Sequence, residues 1–359
     1  PSERSEAQAE KLRHGFLESA APPDLRLAFS QAREAEKRRI AFEDSLPTTM
    51  VMHDAPVTEP TRIRIRGEYH NKGEPVSPGV PEILSALSEN QPDDRLGLAR
   101  WLVDGDHPLT ARVTVNRYWQ MLFGRGLVKT AEDFGTQGSP PSHPDLLDWL
   151  AVDFVESGWD IRATLKTIVM SATYRQSSAV RSEHLAADPD NILLARAPRC
   201  KLAGNFLRDQ ALFVSGLLVE KPGGPSVKPY QPARLWKEAS NFTYKQDSGE
   251  NLYRRSLYTY WKRTLAPPSM AVLDTADREW CSVRSKSTNT PLQALTLLNE
   301  TAFFEAARRL GERTLREAGN ADTDRVRFAF RTVLSRLPNE TEEGILVAGL
   351  ADYRAACER

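Results

Sequence analysis

The stretch that decides the fold is RLGLARWLVDGDHPLTARVTVNRYWQMLFGRG, residues 95–126. Asp94 stands ahead of it as an N-cap and Gly105 follows RLGLARWLV, so a first helix is bounded on both sides. A second helix has Pro108 near its first turn and Gly124 just past its end. Ala111, Val115, Tyr118 and Leu122 make one stripe of that helix, while Arg112, Asn116, Trp119 and Phe123 make another. Two such faces imply burial on both sides, so Arg112 and Asn116 are expected to be buried and hydrogen-bonded.

The same logic extends along the chain. SHPDLLDWLAVDFVESGW, residues 142–159, opens as a capping-box variant with Ser142 at the N-cap, Pro144 in the first turn and Asp145 at N3. Leu146, Leu150 and Phe154 give it a core face, and Asp160 caps the helix that follows. Helices are also expected over 24–44, capped by Asp24, over 198–218, and from the Thr290-Pro291-Gln293 capping box to the end, broken near GNAD and LPNE. In that box helix Leu292, Leu295, Leu298 and Ala302 form the apolar face. Short turns between helices make a helical bundle. The alternation of Arg62, Ile63, Arg64, Ile65 and Arg66 reads instead as a strand, paired with TTMVMHD at 48–54. YRRSLYTYWKRT, residues 253–264, reads as another strand.

The fold class is therefore mainly α: a helical bundle with a small antiparallel β element built from 48–70 and 225–262. Three regions are expected. Residues 1–45 form a helical segment ending a preceding region, 46–92 are β or extended, and 93–359 form a mainly helical domain with a strand-containing insert near 225–262.

Composition narrows the function classes. Lysine plus arginine total 48, equal to aspartate plus glutamate, and that balance argues against a dedicated nucleic-acid binder. No run approaches the length of a membrane-spanning helix. PSERSEAQAEKLRHG lacks an apolar h-region, so it is not a signal peptide, and it reads as a cut from a longer chain. The three cysteines, Cys200, Cys281 and Cys357, fit neither a zinc ribbon nor C-x-x-C-H, so no c-type haem attaches covalently. Buried free thiols are the first expectation, with a Cys200–Cys281 bridge as the alternative.

Few motifs carry chemistry. EDFG at 132–135 lacks the other kinase motifs, and Gly223-Gly224 lies between prolines rather than between a strand and a helix. The richest stretch is LDTADREWCSVR, residues 273–284. Asp274, Asp277 and Glu279 have the oxygen chemistry of a hard-cation site but not the spacing of an EF-hand loop. Arg278 and Arg284 are near enough to neutralise them, so a structural ion-pair network is the first reading. A catalytic site using Asp274, Asp277, Glu279 and Arg284 is the second, and no metal site is expected. Arg112, Asn116, Trp119 and His143 are the candidate binding residues. His143 with Asp145 reads first as a helix start, and His107 and His143 as exposed turn residues before prolines. Trp119, Trp236 and Trp261 are the side chains that would stack on sugars.

These motifs resemble a known family. RLGLARWLVDGDHPLTARVTVNRYWQMLFGRGLVKTAEDFGTQGSPPSHPDLLDWLA, then SATYRQSS, GGPSVKPYQP, RRSLYTYWKRT and TNTPLQALTLLN, are similar to the planctomycete C-terminal domain of unknown function numbered 1553. The resemblance runs from TTMVM to TAFFEAARRL and departs at Ala203, Gly204 and Asn205, where proline, alanine and glutamate are usual, and at Ala266, where proline is usual. It carries no reaction and no catalytic residues. It implies an exported protein of the periplasm or cell surface, with a cytochrome c region ahead of this domain. Haem c would then sit on a preceding domain and no cofactor on this chain. The preceding domains would be partners, and complex polysaccharide the contextual ligand. The leading expectation is an accessory or binding module; the runner-up is a hydrolase acting on a glycan.

Overall fold

Ser5 and Gln8 cap each other's backbone N–H groups in a capping box, and the chain turns helical from that point: α1 is Glu6–Ser19. Pro23 sits in the first turn of α2, Pro23–Ser45, whose N-cap Pro22 has no side-chain acceptor. Asp24 lies inside that first turn, so the expected Asp24 cap is corrected. The computed structural model describes residues 5–52, 60–87, 90–232, 243–262, 265–276, 281–283 and 287–358. Two units emerge, Pro1–Pro78 and Gly79–Arg359.

In the first unit, β1, Arg62–Arg64, pairs antiparallel with β2, Lys72–Pro75, matching Arg62 to Pro75 and Arg64 to Lys72. Residues 48–52 form no strand, which corrects the expected pairing. Arg66 and Gly67 take left-handed φ of 55° and 75° and reverse the chain at once. A partner a few residues away closes a shorter loop than one across 53–59.

In the second unit Asp94 accepts from Leu96 N and Gly97 N, both at 2.9 Å, and starts α3, Arg95–Leu102. α4, Thr110–Phe123, ends at Gly124, whose φ of 77° fits the left-handed C-terminal position. Its start depends on His107, whose Nδ1 accepts from Thr110 N at 3.2 Å while the ring meets Trp101 edge-on at 4.5 Å. His107 is half-buried and caps the helix, so it is not an exposed turn residue. α5, Pro144–Glu156, has His143 at its N-cap with no side-chain cap. Ser142 bonds to the His143 ring instead, which corrects the proposed capping box. Asp160 caps α6, Ile161–Met170, as expected. Val115, Trp119, Phe123, Leu150, Phe154 and Ile168 from these helices form one buried cluster.

After the short helices α7, Ala172–Arg175, and α8, Ser182–Ala187, comes α9, Gly204–Ser215. α10 is Pro268–Val272, α11 Pro291–Asn299, α12 Thr301–Glu317, α13 Asp322–Leu334 and α14 Glu340–Cys357. The Thr290–Gln293 capping box is present. Leu292, Leu295 and Leu298 are exposed, however, so the apolar face read on α11 lies largely open, although Ala302 is buried. Among the described residues the protein is mainly α with one small antiparallel sheet.

That sheet does not involve 225–262. Its described part has 3-10 turns at Gly249–Tyr253 and Ser256–Tyr258, with isolated parallel bridges Val219–Arg254 and Val227–Thr259. The expected strand is corrected, and the cause is local. The buried guanidiniums of Arg208 and Arg254 take the carbonyls of Leu252, Arg254, Lys221 and Pro225, which a β ladder would have used.

Candidate functional site

Asp274 lies just beyond α10 with φ at 62°, an uncommon conformation for a residue with a side chain. Its carboxylate accepts from Thr288 N at 2.8 Å, Thr288 Oγ1 at 2.8 Å, Lys201 Nζ at 2.9 Å and Gln293 Nε2 at 3.0 Å. Lys201 also donates to Gln293 Oε1 at 2.6 Å and to the Thr288 carbonyl, while Gln293 Nε2 reaches the Val272 carbonyl at 2.9 Å. The Asp274 side chain is only 11% exposed. Burial alone would raise its pKa, but the bonds from Thr288, Lys201 and Gln293 outweigh it and hold the group well below the usual carboxylate range.

This cluster ties the approach to α9, the end of α10 and the cap of α11 into one polar joint. The chain passes so close that a Cβ on Gly204 would come within 2.7 Å of Leu273 Cβ. Gly204 also donates its N–H to the Leu273 carbonyl at 3.0 Å, so the departure from the family pattern coincides with a tight crossing. Asp277, Glu279 and Arg284 lie outside the described residues, as do Arg278 and Trp236. Only Asp274 of the four catalytic candidates is described, and its partners among the described residues are Lys201, Thr288 and Gln293, which the sequence reading missed. The capping-box Gln293 was the available signal, since its side chain both caps α11 and reaches Asp274.

The binding candidates separate. Asn116 is fully buried; its Oδ1 accepts from Val128 N at 2.9 Å and its Nδ2 donates to Val128 O at 3.2 Å. Arg112, expected beside it in the core, is 38% exposed at the side chain and bonds Asp148 at 2.7 Å and the Pro108 carbonyl at 2.6 Å. That is a correction: the long side chain carries its charge out to solvent. Trp119 is buried, stacks on Phe123 at 4.1 Å, and lines a cavity of about 320 Å³. His143 is not in that lining, but its Nδ1 lies 3.0 Å from Ser142 Oγ, and Ser142 is. Asn116 contributes at one remove, fixing Val128, which directly follows Gly126 and Leu127 of the lining.

The segment from Asp190 to Arg199 also lines the cavity and contributes Arg196 and Arg199 to it. Asp188 holds this segment by accepting from Ile192 N at 2.8 Å and Leu193 N at 2.7 Å. Arg196 is buried and donates to the carbonyls of Asp188 at 3.1 Å and Pro189 at 2.8 Å. Asn191 and Leu194 both adopt left-handed φ, 53° and 56°, and both face the cavity. A leucine in that region stores backbone strain, and such residues gather at ligand-holding sites.

A second polar cluster, also missed, lies around α9 and the start of α12. The Glu305 carboxylate accepts from Tyr253 at 2.8 Å and Tyr230 at 3.0 Å. Burial, reinforced by the Tyr253 bond and Glu305, raises the Tyr230 pKa; burial also raises those of Tyr244 and Glu300. Burial lowers that of Arg208, whose guanidinium spans the Leu252 and Arg254 carbonyls. Such shifts mark functional sites and polar scaffolds alike, and here the polar ends join backbone segments to one another. The three cysteines are free and exposed, which corrects the expectation of buried thiols.

A mainly α-helical domain with a polar joint, a strained arginine-bearing loop and one cavity against its core helix defines the class. The chain belongs to the family described as PSD1, protein of unknown function (DUF1553), whose model matches residues 94–350. No curated protein and no solved structure matches it. No helix among the described residues is long and apolar enough to cross a membrane.

Proposed function

We propose that the chain is an accessory ligand-binding module of a larger exported protein. Following the family resemblance, that host is a planctomycete, cytochrome-c-associated protein of the periplasm or cell surface. Haem sits on the preceding domains, which are the module's partners, and this chain contributes contact with the ligand, a complex polysaccharide. The cavity beside Trp119 carries the reading, because it joins an aromatic wall to polar groups on a strained loop, the composition of small-ligand sites. The joint at Asp274 fits the same reading. A carboxylate with its acceptor positions taken by Thr288, Lys201 and Gln293 is built to hold segments together.

The test uses the whole 359-residue chain and follows tryptophan fluorescence and Tm across oligosaccharide fragments. Saturable binding, abolished by filling the cavity mouth with Ser178→Trp, is the expected result. Release of reducing ends that disappears in Asp274→Asn would instead establish the polysaccharide hydrolase. A Soret band that stays with the purified chain through gel filtration would overturn the placement of haem elsewhere.

A further inference from the structure

We infer that the cavity beside Trp119 selects a small organic anion: an oxyanion head carried on an apolar or ring-shaped body. The inference rests on the binding reading above and adds the ligand's charge and shape. Three arginines and one aspartate line the cavity, Arg125, Arg196 and Arg199 against Asp190, so its lining is net positive in a chain whose total charge is zero. The three arginines differ in what already occupies them. Arg196 is held by backbone carbonyls and supplies a fixed positive charge beneath the loop. Arg125 meets Asp190 at 3.4 Å, a loose pair whose aspartate side chain is 62% exposed and free to give way. Arg199 is exposed and has no hydrogen bond or ion pair among the described residues. Two of the lining arginines therefore retain donors, and the planar guanidinium fork matches carboxylate, phosphate and sulfate geometry.

The rest of the cavity specifies what the anion is attached to. Trp119, Leu127, Ile192 and Leu194 make an apolar wall, which a bare inorganic ion would leave in contact with water. A cavity of about 320 Å³ is at the small end for organic ligands, enough for one ring with its oxyanion. The two left-handed residues, Asn191 and Leu194, hold the loop in the shape that brings Ile192 and Leu194 into one lining with Trp119 of the core helix.

The experiment titrates the whole chain calorimetrically with phenyl phosphate, inorganic phosphate and phenol. Phenyl phosphate is expected to bind saturably, at least tenfold more tightly than either fragment, with affinity falling as salt is raised. Arg199→Ala, which removes a side chain with no partner and so leaves the fold intact by Tm, is expected to weaken phenyl phosphate about tenfold and phenol not at all. Equal binding of phenol and phenyl phosphate, unchanged by Arg199→Ala, overturns the anion assignment and leaves the binding reading standing. Equal binding of inorganic phosphate and phenyl phosphate overturns the role of the apolar wall. No binding of any probe to the wild-type chain, together with none of any oligosaccharide, removes both readings.

Discussion

Helix α2 is 23 residues long and buries none of them, whereas α4, at 14 residues, buries Ala111, Val115, Asn116, Trp119 and Phe123. Both contain apolar residues, and α2 carries Leu25, Leu27, Ile40 and Phe42. In α2 these stay exposed, and Arg39 pairs with Glu36 and Glu43 along the surface. Surface pairs of that kind add little stability. In α4 the apolar groups meet those of α5 and α6, so that its helicity is maintained by burial. Length and charge make a helix legible, but only packing makes it matter.

The strongest test of this contrast is a pair of truncations. Leu150→Ala in α5 empties a site that is almost fully buried, and a loss of about 3–5 kcal/mol is expected from lost transfer energy and the cavity left behind. Phe42→Ala in α2 removes a larger side chain that is 65% exposed, and its effect is expected within about 0.5 kcal/mol. Urea denaturation of both variants checks it. Equal losses would mean that α2 is buried as deeply as α5 and would break the comparison.

Asn116 sharpens it from the polar side. Asn116→Ala leaves the Val128 N–H and carbonyl without their partner in a buried place, for an expected loss of about 2–3 kcal/mol. The same change also frees Val128, next to Gly126 and Leu127 of the cavity lining, so ligand affinity is expected to fall along with Tm. A variant that loses stability but binds as before would separate the wall from the site.

Much of this was legible in the sequence where the chemistry is local. Asp94, Asp160 and Thr290 announce helix starts because a cap is made within three residues of itself. The need for an Asn116 partner was also legible, since a polar group among apolar stripes must be bonded. Non-local chemistry was not legible. The tyrosine, leucine and threonine content of YRRSLYTYW mimics a strand, yet Arg208, more than forty residues away, takes the carbonyls that would have built one. The cavity was invisible for the same reason: its lining draws on 119–127, Ser142 and 178–199, brought together only by packing. Of the catalytic stretch, the described partners of Asp274 come from positions 201, 288 and 293, which lie outside the stretch itself.

The Asp274 joint gives a pH-dependent prediction of intermediate size. Its folded pKa is depressed below the value of an unfolded aspartate, near 3.9, so its contribution is fully present above that value. The contribution is lost as pH falls through about 4 and below, when the carboxylate must be protonated to unfold the joint. Asp274→Asn is expected to cost about 1–2 kcal/mol at pH 7, where the charge-assisted bonds are gone. The cost should shrink toward pH 3. Melting curves of both proteins between pH 3 and 7 should therefore converge at the acid end. A gap independent of pH would mean that the charge of Asp274 plays no part in the joint.

A small effect is expected at Arg112, one turn before Asn116 on the same helix, and it tests where the core face of α4 ends. Arg112 bonds Asp148 and the Pro108 carbonyl, but its side chain is 38% exposed and that of Asp148 is 55% exposed. Removing the guanidinium leaves Asp148 with water to replace it, and no charge is stranded in the interior. Arg112→Ala should therefore cost less than about 1 kcal/mol, and a double-mutant cycle with Asp148→Ala should give a coupling in the same range, weakening as salt is added. The contrast with Asn116 is then one of partners. Asn116 bonds the backbone N–H and carbonyl of Val128, which is buried, whereas Arg112 bonds groups that water also reaches. A coupling of several kcal/mol between Arg112 and Asp148, insensitive to salt, would place both inside the core. It would make both stripes of α4 buried faces, as the sequence pattern alone suggests.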